Sequence, residues 1–361
     1  MVSLELINLT KAWPTLFVSV SLSIEAGRSL AIVGPSGCGK STVLRMIAGL
    51  EPPDSGQVIV GGVDVSQAEP RSRGIGMVFQ DYALFPHLDV GGNVEYGLRF
   101  RGYTMKARAS TVAGLLDSVG LSGFQKRRAH ELSGGERQRV ALARTLATEP
   151  AIVLFDEPLS SLDASLRKRL RADLVEEQKR LGFTAVYVTH DLEEAMAIGD
   201  SLAVMDSGRV LQCASPEELW EHPSSAKLAF FMGSGPVLRI EGIDGSDGTI
   251  RTAAGRFGSD PTLLSAIEEH KKQGYDSFIF FERSAARPEK PVQVASKDSS
   301  FIKARCLSRD FAGDAIDCHM ESGQERFSLR FTKDKAPTAG ECRRYTIEQA
   351  SLRVIPDIRT H

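Results

Sequence analysis

The sequence predicts an α/β domain built on a largely parallel, buried sheet, followed by a smaller β-rich domain. Three observations predict it. Residues 34–42, GPSGCGKST, match the pattern G-x-x-x-x-G-K-S/T directly behind an apolar run, the strand-to-helix setting that a phosphate-cradling loop requires. Three short apolar runs, at residues 29–33, 151–155 and 184–188, each end at a polar residue, as strands buried on both faces of a parallel sheet do. Beyond Pro236 the pattern turns to strict alternation, with Phe327, Leu329 and Phe331 separated by Ser328 and Arg330, the mark of half-buried strands.

In chain order, Leu4 and Leu6, then Val18, Val20 and Leu22, alternate with polar residues and predict a small antiparallel sheet ahead of the glycine loop. In the loop, Gly34, Gly37 and Gly39 let backbone N–H groups turn inward around phosphates, and the helix that follows favours negative charge at its start. Lys40 is placed to reach the β and γ phosphates of a nucleotide and Ser41 to ligate Mg²⁺. Between about 84 and 140, Val112, Leu115, Leu116 and Val119 fall at helical spacing, which predicts a mostly helical insertion. Leu162, Leu166, Leu170 and Leu174 recur every four residues among charged ones, predicting a crossover helix over the sheet. A linker cluster at Gly233, Ser234, Gly235 and Pro236 predicts the boundary between residues 1–235 and 236–361. In the second domain Ile316, Cys318 and Met320 also alternate, and glycine-bearing turns separate the strands, so a small barrel or sandwich is expected, with room for two diverged barrels.

Composition narrows the function. The 361 residues suffice for two or three domains, and a net charge of −2 gives no basic footprint for nucleic acid or an anionic membrane. From Pro236 onward 20 Lys and Arg face 19 Asp and Glu, so the β-rich domain is expected to serve protein contact or regulation rather than nucleic-acid binding. No apolar stretch nears the roughly 18 residues that span a bilayer, and residues 1–5 lack a secretory pattern, so a cytoplasmic location is expected. Five cysteines stand singly with no C-x-x-C pair, which indicates neither a zinc site nor disulfides. Cys38 lies at a helix N-terminus, where a thiol pKa tends to fall, but a structural, packing role is expected for it over a reactive one.

A second motif, Leu132, Ser133, Gly134, Gly135, Glu136, Arg137 and Gln138, opens a predicted helix, and Ile152 to Phe155 lead into Asp156 and Glu157. With the glycine loop upstream, this order over residues 4 to 235 resembles the ATP-binding cassette (ABC) ATPases. The resemblance implies a P-loop NTPase fold with antiparallel β and helical subdomains, and ATP and Mg²⁺ as cofactors. It implies that Gly34, Pro35, Ser36, Gly37, Cys38, Gly39, Lys40, Ser41, Thr42 and Gln80 bind ATP. Trp13 matches the adenine-stacking aromatic. Asp156 matches the aspartate that holds Mg²⁺ with Ser41 and Gln80, and Glu157 the glutamate that polarises the attacking water. His190, after Val188 and Thr189, matches the switch histidine that contacts the γ-phosphate, whereas His87 and His130 carry no such role. Leu132 to Glu136 and Asp163 match the signature and D-loop segments, which serve ATP bound by a second subunit. A head-to-tail dimer is the expected unit, either a homodimer or a pair with a homologous subunit. Glu136 stands where the family often has Gln, and the pair Gly91 and Gly92 departs from it at a helix start.

Residues 81–88 (DYALFPHL), 190–195 (HDLEEA) and 214–219 (ASPEEL) resemble the ATPase subunits of binding-protein-dependent bacterial importers. Some of these carry a C-terminal, all-β, oligonucleotide-fold-like regulatory domain, as the tail here suggests. The resemblance implies a membrane permease contacted by residues 82–87, an extracytoplasmic solute-binding protein, and a peripheral place on the cytoplasmic side of the inner membrane. Residues 230–238 and the short tail resemble the ferric-iron importers, so ferric iron is the expected substrate, with sugar, polyamine or sulfate open. An exporter subunit also remains open. A non-transport cassette ATPase would carry a coiled-coil insertion or tandem cassettes, and this chain has neither. The triplet Arg287, Pro288 and Glu289 resembles a motif of the regulatory barrel, set farther than usual from the apolar run at 278–281.

Overall fold

The computed structural model describes residues 2–100, 102–160, 164–244, 248–289 and 300–357. Two compact units divide them, Met1–Pro216 and Glu217–His361. The first holds ten strands: β1 (Leu4–Trp13), β2 (Leu16–Ile24), β3 (Ser29–Val33), β4 (Ser55–Val60), β5 (Val63–Asp64), β6 (Ile75–Val78), β7 (Ile152–Asp156), β8 (Thr184–Thr189), β9 (Ser201–Asp206) and β10 (Arg209–Ala214). Its helices are α1 (Lys40–Ala48), α2 (Val90–Glu95), α3 (Met105–Ser118), α4 (Gly134–Leu146), α5 (Ala164–Leu181) and α6 (Leu192–Ile198), and α7 (Pro216–Glu221) spans the division.

The strands form one sheet in the order β5-β4-β1-β2-β10-β9-β3-β8-β7-β6. Strands β9, β3, β8, β7 and β6 run parallel. Every residue of β3 and β8, and all of β7 except Asp156, is buried, which explains why these strands read as unbroken apolar runs. At the other end β1, β2, β4 and β5 pair antiparallel, as the alternation at Leu4, Leu6, Val18, Val20 and Leu22 predicts. The two parts join where Arg209 of β10 pairs with Ser19 of β2. Helix α1 buries Val43, Leu44, Met46 and Ile47 against this sheet. Its exposed carbonyls are closed by Arg73, whose guanidinium donates to the Met46 and Ile47 oxygens at 2.8 and 3.0 Å, a cation where the helix dipole favours one.

The insertion between β6 and β7 is helical, and its last helix runs to Leu146, beyond residue 140, because Val140, Leu142 and Ala143 are buried. The two glycines at 91 and 92 do not delay α2. Asp89 caps it, accepting from Gly92 N at 2.7 Å, and Gly91 N donates to the Gln125 carbonyl at 2.8 Å. A Cβ at Gly91 would sit 3.2 Å from that oxygen, so glycine permits the close approach. Of the predicted crossover stripe, Leu170 and Leu174 are buried on α5, whereas Leu162 and the side chain of Leu166 lie outside the described residues.

Also on α5, burial pushes the Glu177 carboxyl up to about 7, with Arg139 and Arg180 pulling it back. Between its ordinary range and that value the folded chain holds a proton that the unfolded chain has released. Stability attributable to this group is therefore greatest at the acid end and falls as pH rises through the window. Thermal melts between pH 5 and 8 should show a steeper decline for the native chain than for E177Q; parallel curves would count against it.

The second unit carries α8 (Ala226–Met232), β11 (Val237–Ile243), β12 (Ile250–Thr252), β13 (Gly255–Phe257), α9 (Pro261–Lys272), β14 (Ser277–Phe280), β15 (Ala286–Pro288), β16 (Ser300–Ala312), β17 (Ala315–Ser322), β18 (Glu325–Thr332), β19 (Cys342–Ile347) and β20 (Arg353–Pro356). Its sheet order is β15-β19-β16-β13-β12-β11-β14-β20, with β17 and β18 branching from β16. Among its described residues the main core includes Leu238, Phe257, Phe281, Met320 and Tyr345, and a smaller cluster lies beside it. The division precedes the Gly233–Pro236 cluster because α8 belongs here: Ala226 and Ala229 pack with Phe280 and Ile355. Arg287 and Pro288 lie on the edge strand β15, where a missing N–H is tolerated.

Candidate active site

Strand β3 delivers the chain to Gly34, where a Cβ would lie 2.1 Å from the Met205 carbonyl oxygen; no side chain fits. Gly37 and Gly39 have φ of 79° and 103°, left-handed values that glycine adopts freely, and Gly39 leads into α1. Lys40, only 5% exposed, donates its ammonium protons to the Gly34 and Pro35 carbonyls at 2.8 and 2.9 Å. The cation is thus held over the loop, where phosphates of a nucleotide would lie. Cys38 takes the packing role expected of it. Burial pushes its thiol pKa up, and Lys40 offsets this only in part, so it packs as a small apolar residue.

The ends of β7 and β8 bring the polar groups together. Ser41 Oγ donates to Asp156 Oδ1 at 3.4 Å. Burial, then the charge of Glu157, push the Asp156 carboxyl up, with Ser41, Arg45 and Lys40 opposing. Glu157 has φ of 45°, and its N–H donates to the Val188 carbonyl on the adjacent strand at 2.9 Å. That turn aims its carboxylate at His190, with Oε2 and Nδ1 3.2 Å apart. Gln80 Nε2 donates to Ser160 Oγ at 2.9 Å, and Ser160 Oγ donates to the Glu157 carbonyl at 3.0 Å. A carboxylate, an imidazole, an amide and an ammonium from four strand ends are therefore set by direct contacts, which suits a reaction that needs positioning and charge stabilisation above all.

Trp13 ends β1, and across the turn Leu16 and Val18 lie against Gly39. The indole is 43% exposed, and Lys11 Nζ lies over its ring, 5.5 Å from the centre. The Leu132–Glu136 segment lies elsewhere. Ser133 caps α4, accepting from Glu136 N at 3.3 Å, while Glu136 accepts from Ser133 N at 2.7 Å, a reciprocal capping box. Gly135 faces α5, where a Cβ would meet Leu170 at 2.6 Å. Among the described residues no hydrogen bond or ion pair joins this turn to residues 34–42. Asp163 lies outside the described residues.

Two supports went unread in the sequence. Thr189 Oγ1 donates to the buried Glu194 at 2.8 Å and accepts from Asp191 N at 3.1 Å, while Asp191 accepts from Glu194 N at 3.0 Å. This locks the backbone on both sides of His190. Its signal was available, an N-cap Asp191 with a glutamate three residues on. The other is Arg144, which donates to the Ala83 and Tyr82 carbonyls at 2.6 and 2.9 Å. Tyr82 is buried and donates its hydroxyl to the Pro158 carbonyl at 3.0 Å, so within residues 82–87 the outward-facing residues are Ala83, Pro86 and His87.

The ABC transporter family matches over residues 17–160. The Fe(3+) ions import ATP-binding protein FbpC of Rhizobium etli is 42% identical over 310 residues, 85% of this chain and 84% of that protein. The chain belongs to the ABC transporter family. The Fe(3+) ions import ATP-binding protein FbpC of Agrobacterium fabrum is 49% identical over 309 residues, with the same coverage of each chain. A solved dimer of an ATP-binding cassette in a post-hydrolysis state, bound to ADP and Pi, is 31% identical with a TM-score of 0.51, covering 59% of this chain and 98% of that one. As an ABC protein the chain binds and hydrolyses ATP to power transport.

Proposed function

We propose that this ABC ATPase works with Mg²⁺ at an interface between two copies of itself and drives ferric-iron import through a membrane permease. The observation that carries the iron assignment is the length of the match. The ferric-iron import relatives align over 310 and 309 residues, more than the first unit, Met1–Pro216, contains, so the likeness extends beyond the nucleotide-binding part.

The donor set fits Mg²⁺. Asp156 is a carboxylate whose ionised form burial and a second carboxylate disfavour, and the Ser41 hydroxyl stands beside it, both hard oxygen ligands that suit this cation. Ser41 and Asp156 would hold it, with Gln80 at its hydration shell, and the bound ion would neutralise phosphate charge. Lys40 and the N–H groups of residues 34–42 bind the phosphates, and Trp13 stacks on the adenine. Glu157 orients the attacking water and takes a hydrogen bond from it, while His190 faces the γ-phosphate. The start of α4 at Ser133 suits a phosphate held by the opposite copy, and Leu132 to Glu136 and Asp163 belong to that interface. Ala83, Pro86 and His87 contact the permease. Among the described residues no helix is long and apolar enough to cross a membrane, which supports a peripheral place on the cytoplasmic face of the inner membrane. An extracytoplasmic solute-binding protein completes the system.

Uptake of radiolabelled ferric iron, beside a labelled sugar, in cells relying on either the native chain or E157Q tests the reading. Iron uptake should fall to background with sugar uptake intact. Loss of sugar uptake alone would move the assignment to another substrate.

A further inference from the structure

We propose that the second unit holds a site for a small organic monocarboxylate with an apolar body. A cavity of about 650 Å³ opens between α8 and the β16–β18 strands, within the size range of small-molecule sites. Phe278, Leu307, Met320 and Phe327 supply apolar wall, and Leu307 is 40% exposed, an outward apolar surface for which the cassette chemistry has no use.

The charges on the wall decide the ligand. Arg283 lies beneath it, its guanidinium 5.3 Å from the Trp220 ring centre, a packing that fixes its direction. Its acidic neighbour is Asp317, but Arg330 donates to both oxygens of that carboxylate at 2.7 Å each. Arg283 is left 3.8 Å from Asp317, outside hydrogen-bond distance. Two guanidiniums thus share one carboxylate, and the surplus positive charge stands on a half-buried side chain at the cavity wall. Such a fork suits a carboxylate. Of the other polar lining groups, His319 lies between Asp310 and Ser328 through its two ring nitrogens, at 2.8 and 3.1 Å, Arg326 pairs with Glu321 at 3.3 Å, and Ser308 adds a neutral hydroxyl. Glu325 remains, a carboxylate in the lining that opposes a second anionic group on the ligand. One carboxylate and an apolar remainder is the chemistry that meets all of these walls.

Calorimetric titration of the full chain with 3-phenylpropanoate tests this, with 3-phenylpropan-1-ol and citrate as controls. Saturable binding of the monocarboxylate is expected, with the alcohol and citrate weaker by about tenfold or more, and R283Q weaker by a similar factor. Because R283Q also touches the Asp317 network, a second variant, Ser308→Phe, fills the cavity while leaving Arg283 in place; it should abolish binding. Absence of saturable binding to the native chain, equal binding of the alcohol, or unchanged binding by Ser308→Phe would overturn the proposal.

Discussion

E157Q is expected to keep ATP binding within about twofold of the native chain and to lower steady-state hydrolysis by about two to four orders of magnitude, the range for a positioned general base. Glutamine has the same length and shape, so the backbone turn at φ 45° and the bond from its N–H to Val188 are untouched. What changes is the acceptor. A carboxylate can orient a water and draw its proton, whereas an amide presents one oxygen of low basicity and one donor. The His190 contact at 3.2 Å survives as a hydrogen bond to the amide oxygen, so His190 stays in place and the loss isolates the carboxylate. Phosphate release under saturating ATP, beside equilibrium binding of a fluorescent ATP analogue, separates the two quantities. Native turnover in E157Q would remove Glu157 from this role, and lost binding would mean that its charge holds the nucleotide site together.

How much of this was legible depended on whether the determinant was local in sequence. The glycine loop, the acidic pair and His190 each sit at a strand end, and a buried parallel strand announces itself as an apolar run. These positions could be read, and the structure brings Lys40, Ser41, Asp156, Glu157, His190 and Gln80 together. Helix α9 was not read, because its β-rich surroundings hid a good start signal: Asp260 caps it, accepting from Leu263 N at 2.9 Å, and Pro261 follows. Cys38 packs as the filler residue the sequence favours, because burial outweighs the pull of a helix terminus on its thiol. The division at residues 216 and 217 was invisible because it depends on what α8 packs against, not on a linker composition. Arg144 was invisible for the same reason. Nothing near it in sequence names its partners, which lie about sixty residues earlier.

Arg144→Ala is expected to reduce kcat for ATP hydrolysis by about tenfold to a hundredfold, the scale of a small misplacement at a reacting centre, with little change in KM. Tyr82 and Ala83 have φ of 61° and 43°, left-handed conformations that cost a non-glycine residue about 1–2 kcal/mol each. The Arg144 guanidinium holds both by donation: its two terminal nitrogens donate to the two carbonyls of that turn, and it lies 5.5 Å from the centre of the Phe85 ring. Gln80 is two residues before the turn, and Ser160, its partner, bonds to Glu157. Releasing the turn therefore loosens the Gln80 amide while leaving residues 34–42 and Trp13 alone, which is why kcat should fall and KM should not. Lysine cannot bridge two carbonyls in one plane, so Arg144→Lys should recover only part of the rate. Ala83→Gly removes strain at one of the two positions; in the Arg144→Ala background it should restore melting temperature more than kcat, because a relaxed turn is stable without being correctly placed. A variant in which KM rises and kcat is unchanged would show that Arg144 supports nucleotide binding instead of positioning Gln80.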